Sequence, residues 1–137
     1  MKIYLKYFTS FILLFNAAGA IYGGGNLIIH PDGSSIQLSM EWLKYTPFRD
    51  YFVPGIILFV ANGLCSIIVF ISLILNVSIY SWLVIVQGVI LTFWIIIQII
   101  LIRTVYFLHI IMGSCGILMI VLGILLLRLN KIKMDLN

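Results

Sequence analysis

The side chains able to do chemistry are few, and most of them carry no charge. The 137 residues include two histidines, two cysteines and four carboxylates. His30, Asp32, Glu41 and Asp50 fall in one connection and could together hold a metal ion. Pairing with Lys44 and Arg49, and the dipole of the helix starting near Asp50, account for these charges without a metal. Cys65 and Cys115 could form a redox pair, but each lies inside an apolar run and the chain has no C-x-x-C. A thiol among apolar groups is inert. His109 has no second ligand at helical spacing. No nucleophile–base pair can be assembled from these residues, so the chain reads as a non-enzyme without a cofactor.

The remaining signal is a set of uncharged polar residues inside apolar stretches: Asn16, Asn62, Gln87, Gln98 and His109. Polar groups at membrane depth are rare and face a bundle interior. They admit two readings. One is hydrogen bonding between helices, worth roughly 0.6–2 kcal/mol a bond. The other is a polar pocket of Asn16, Asn62, Gln98 and His109 that takes a small amphipathic molecule or a lipid headgroup. At about 1.5 Å of rise per residue those four fall in the outer half of a membrane, with Gln87 nearer the cytoplasm. No Asp, Glu, Lys or Arg lies in the middle of a span. That argues against proton-coupled transport, which relies on a carboxylate at membrane depth.

The elements that must position these residues follow from composition. The chain is 64% hydrophobic and 9% charged, with a mean hydropathy of +1.24. About a quarter of a soluble domain is charged, so this chain has too little charge to cover a water-facing surface. About 20 apolar helical residues cross a bilayer core. Four such spans fit, at about 7–28, 53–75, 79–102 and 105–127, with an outer loop over 29–52. The expected fold is all-α: one transmembrane domain over 1–137, an antiparallel four-helix bundle with a capping outer loop and a short interfacial helix. Connections as short as 76–78 and 103–104 force neighbouring spans to run antiparallel.

Within the loop, Pro31-Asp32-Gly33-Ser34 is turn chemistry. Ser39 is an N-cap for a short interfacial helix over 39–45. Thr46 and Pro47 suit an N-cap and first position of the next helix, with a bend where Pro54 follows. In the spans, Gly55, Phe59, Asn62 and Ser66 share one face, as do Gln87, Leu91, Trp94 and Gln98. Gly113, Gly116 and Gly123 form a small-residue seam below His109, while Leu126 is expected to face lipid. Gly19–Gly23 and Ala20–Gly24 are spaced for close helix approach.

The eight basic residues outnumber the four acidic ones, for a net charge of +4. Lys2, Lys6, Arg128, Lys131 and Lys133 flank apolar spans at the two ends, which places both termini in the cytoplasm. Basic residues spread in this way do not suit nucleic acid. The expected partners are the lipid bilayer and another membrane protein or a second copy. Ala18-Gly19-Ala20 resembles a signal cleavage site, but apolar character continues past it through Ile21, Tyr22 and Leu27–Ile29, as a span requires.

Two stretches, HPDGSSIQLSMEWLKYTPFRDYFVPGIILFVANGL and FWIIIQIILIRTVYFLHIIMGSCGILMIVLG, resemble a group of small bacterial four-span integral membrane proteins. The shared pattern is a PDG turn, a W-L helix, TPF-x-D, a Pro-Gly entry followed by N-G, then W-I-x-x-Q and L-H. The resemblance covers nearly the whole chain. It implies the four-span fold and a bacterial inner-membrane setting, and brings no activity with it.

Overall fold

A computed structural model describes residues 1–137. It contains no strand and four long helices: α1 (Lys2–Ile29), α2 (Phe52–Ile74), α3 (Tyr80–Ile102) and α4 (Phe107–Asp135). Each is long and apolar enough to cross a bilayer. Side chains such as Phe93 and Ile100 are 62% and 65% exposed, a surface that lipid covers and water would not. The chain is a multi-pass integral membrane protein built as a four-helix bundle.

Every span falls close to its expected place, and α4 runs a further two turns past Leu127 to Asp135. The connection from α2 to α3 is short because Asn76 closes α2 in the left-handed conformation, with φ +54. Val77 N–H reaches Ser72 O and Asn76 N–H reaches Leu73 O, the Schellman arrangement. The termini lie at one end of the bundle and the long loop lies at the other. At the terminal end Lys6 donates to Asn76, Tyr80 donates to Asn130 Oδ1 at 3.0 Å, and Asn130 donates to Ser81 Oγ at 3.0 Å.

Packing divides the bundle into two tight pairs, α1 with α2 and α3 with α4. Glycines create both. A Cβ on Gly24 would stand 2.7 Å from Phe59 N, and one on Gly88 would stand 2.7 Å from Gly116 O. Main chain faces main chain at these points, which only a missing side chain allows. Gly116 and Gly123 belong to the expected seam, but Gly113 does not: a Cβ there would meet only Ile95 Cγ2, at 3.7 Å. On α1 the close approach is made by Ala20 and Gly24, whereas Gly19 has nothing near it. Leu126 is also corrected. It is fully buried in the cluster with Leu13, Leu73, Val84, Leu91 and Met119.

Over the loop end, the short helix expected over 39–45 is a single 3-10 turn, Met40–Leu43, and a second such turn, Ser34–Ile36, precedes it. Ser39 is the N-cap, its Oγ accepting from Glu41 N–H at 3.2 Å. Leu43 and Tyr51 bury themselves beside Leu27, while Tyr51 O–H donates to Ser39 O at 2.5 Å. Residues 46–51 are bends and irregular backbone rather than the expected helix restart; α2 begins at Phe52, and Asp50 accepts from its N–H at 2.9 Å. Pro54 therefore lies in the first turn of α2, where its missing N–H is no loss.

Candidate functional site

In the middle of α2 the helix changes type: Leu58–Leu64 is π-helical. A π segment inserts one residue into the ladder, and each changeover back to α leaves a carbonyl without its usual amide. Cys65 N–H bonds Val60 O, so the carbonyl left over on the return to α is that of Ala61, with Asn62 O beside it. Both of those carbonyls receive side-chain donors from neighbouring helices. Gln87 on α3 donates from Nε2 to Ala61 O at 3.1 Å. Asn16 on α1 donates from Nδ2 to Asn62 O at 3.3 Å and to Ser66 Oγ at 2.8 Å. In hydrocarbon an unmatched carbonyl costs several kcal/mol, so these bonds make the irregular backbone tolerable.

The result is a buried polar layer of Asn16, Asn62, Ser66 and Gln87, each no more than 2% exposed. It links three helices across the bundle. The Asn62 carboxamide is the exception within it: Nδ2 and Oδ1 are both sealed from solvent and have no partner in the protein. Ser10 Oγ and Trp94 Nε1 share that condition elsewhere.

The four residues expected to line one pocket separate into two levels. Asn16 and Asn62 meet in this layer, together with Gln87, which the count from span ends put nearer the cytoplasm. Gln98 lies three turns further along α3, roughly 16 Å away. It is half-buried and bonds no protein group. His109 is level with Gln98, because Gly113 faces Ile95 one turn below. Its imidazole faces its own helix start: Tyr106 N–H donates to His109 Nδ1 at 3.1 Å, and His109 N–H donates to Tyr106 O at 2.9 Å. An accepting Nδ1 places the ring proton on Nε2. Gln98 and His109 are thus remote from Asn62.

Sequence reasoning also missed the aromatic cover above His109. Trp42 lies against Tyr106 with ring centroids 4.8 Å apart, and Tyr106 lies 5.7 Å from His109. Trp42 was legible as an interfacial residue, but its pairing across the loop was not. An open apolar groove of about 190 Å³ runs between α2 and α3 beside Cys65 and Gln87. Both cysteines are free thiols, and no group of three His, Cys, Asp or Glu side chains is close enough to hold a metal ion.

Outside the spans, two groups titrate abnormally. Hydrogen bonds from Ser34 Oγ and N–H hold the Asp32 carboxyl below its usual range. Burial pushes the Tyr51 phenol up. Each shift follows from the local fold of the loop, and neither creates a reactive group. Comparison with family models, with curated proteins and with solved structures finds no match.

Proposed function

We propose that this chain is a non-enzymatic interaction or stabilising component of the membrane, a subunit that works through the surface it presents to other proteins and lipid. One observation carries the reading. Asn16 and Gln87, the amides best placed to bind something at membrane depth, spend their donors on the Asn62 and Ala61 carbonyls. The polar layer joins helices together instead of opening between them. Meanwhile α1 turns Tyr4, Phe8, Phe11, Phe15 and Tyr22 away from the bundle, a rigid aromatic face of the kind enriched in interfaces. The proposed setting is a cell membrane with both termini cytoplasmic, argued from the basic residues at the terminal end.

Two experiments test this. Native mass spectrometry after gentle detergent extraction is expected to show a protein partner or a second copy, and a photo-crosslinker at Phe11 is expected to capture it. A lone chain that captures nothing from Phe11 overturns the reading. For the orientation, a cysteine replacing Ser35 in a background without Cys65 and Cys115 is expected to label from outside the cell. Labelling only from the cytoplasm reverses the topology.

The unpartnered Asn62 carboxamide favours a second reading, a binder or carrier of a small amphipathic molecule. In that case a co-purifying molecule is present in the wild type and lost from Asn62→Leu.

A further inference from the structure

At the loop end of the bundle two cations meet one aromatic ring. The Arg103 guanidinium carbon lies 4.0 Å from the centroid of Tyr45, and Lys44 Nζ lies 5.6 Å from the same centroid. Both cations are exposed, and neither has a carboxylate within 4.0 Å. The carboxylates of this region are otherwise placed. Asp32 accepts from Ser34, Asp50 accepts from Phe52 N–H, and Glu41, in the turn before Lys44, makes no ion pair. Two like charges are therefore gathered on one ring with no protein anion between them.

The backbone adds a second observation. Arg103 stands just past α3 with φ +61, a conformation that glycine adopts freely and a long side chain adopts at a cost. Arg103 N–H donates to Ile99 O at 2.8 Å, so this conformation closes α3 as Asn76 closes α2 and sets where the arginine leaves the helix. Trp42 and Tyr106 stack close by, and such aromatics mark the headgroup level of a bilayer.

The third observation lies below. Ile100, Ile96, Phe93 and Val89 descend α3 from Arg103 at helical spacing, all exposed. The lower three line a shallow apolar groove of about 210 Å³ with Thr92 and Ile120. A paired cation site at headgroup level, continued by an apolar track toward the bilayer centre, has the shape and polarity of one phospholipid.

We propose that Lys44, Tyr45 and Arg103 form a binding site for the phosphate of an anionic glycerophospholipid, with an acyl chain along Ile100, Ile96 and Phe93. Arg103 presents its fork of donors to the phosphate oxygens and Lys44 acts as a compact second charge. A choline headgroup would bring a third cation to the same place, so a lipid such as phosphatidylglycerol is preferred over phosphatidylcholine. The lipid track, rather than a free anion, is what the apolar groove beneath the charges adds.

The test titrates phosphatidylglycerol, phosphatidylcholine and inorganic phosphate against the whole protein in mild detergent, read by native mass spectrometry and thermal unfolding. Wild type is expected to retain one phosphatidylglycerol preferentially and to gain thermal stability from it. Arg103→Gly is expected to weaken that binding about fivefold and Arg103→Gly with Lys44→Gln about 25-fold, from the usual contribution of a basic residue at an anionic surface. Because glycine accepts φ +61, Arg103→Gly without lipid is expected to unfold no earlier than wild type, which separates lost binding from lost folding. Lys131→Gln with Lys133→Gln, at the terminal end, is expected to keep the tight lipid. Undiminished phosphatidylglycerol binding by the double variant, equal binding of phosphatidylcholine, or the same stabilisation by inorganic phosphate would each overturn the assignment.

Discussion

Adding one methyl group at Gly88 is expected to force α3 and α4 apart. An alanine Cβ there would sit 2.7 Å from Gly116 O and 2.8 Å from Ile120 N. Both are main-chain atoms of α4, so no rotamer change relieves the clash. The helices must separate by roughly 0.5–1 Å, a gap that forfeits a quarter to a half of each contact's 0.1–0.2 kcal/mol. Over about forty atom pairs along the seam the loss is about 1–4 kcal/mol, which overlaps the roughly 1–3 kcal/mol found for overpacked interiors. Gly113→Ala and Gly19→Ala are the comparators. The first would meet only Ile95 Cγ2 at 3.7 Å and the second meets nothing within 4 Å. Both are expected to be neutral, or to gain up to about 1 kcal/mol from the better helix propensity of alanine. Reversible unfolding in mixed micelles measures all three on one scale. If Gly88→Ala proves as stable as Gly113→Ala, main-chain contact between α3 and α4 is not what holds that pair.

Four further outcomes rest on the polar groups. Asn16→Leu and Gln87→Leu are each expected to lose about 0.6–2 kcal/mol. Asn62→Leu is expected to gain about 1–3 kcal/mol by removing a buried carboxamide that has no partner; a loss in the same unfolding assay would show that Asn62 is satisfied in the membrane. At Tyr51 the folded pKa lies above the ordinary 10.0 because of burial, so above pH 10 the unfolded loop releases a proton that the folded loop keeps. Stability of the loop is then lost as pH rises, and Tyr51→Phe is expected to abolish that alkaline loosening in proteolysis of residues 30–51. Finally, His109→Leu removes the acceptor of Tyr106 N–H and is expected to cost about 0.5–2 kcal/mol, as lost helix caps do. Hydrogen exchange should quicken at the start of α4 and remain unchanged at Gln87; unchanged exchange at Tyr106 would refute the capping role.

Span number, approximate span position and antiparallel order were determined by the sequence itself. Apolar run length and turn residues act locally, and a bilayer leaves the backbone no alternative to helix. The Ser39 cap and the Asn76 turn were legible for the same reason, since each bond closes within a few residues. The depth of the polar residues was not. Counting from span ends put Asn16 and Asn62 beside Gln98 and His109, whereas the tertiary register set them level with Gln87. That register depends on which glycines meet main chain: Gly88 and Gly116 do, Gly113 and Gly19 do not. Spacing pointed to Gly113, Gly116 and Gly19 alike and not to Gly88, because a small residue is useful only where a neighbouring helix comes close. The π segment at Leu58–Leu64 likewise has no local signature here, because its cost is offset by donors far away in the chain, at Asn16 and Gln87. Arg103 and Lys44 are separated by the whole of α2 and α3, and only the folding of the loop back over the α3–α4 turn brings them to one tyrosine ring.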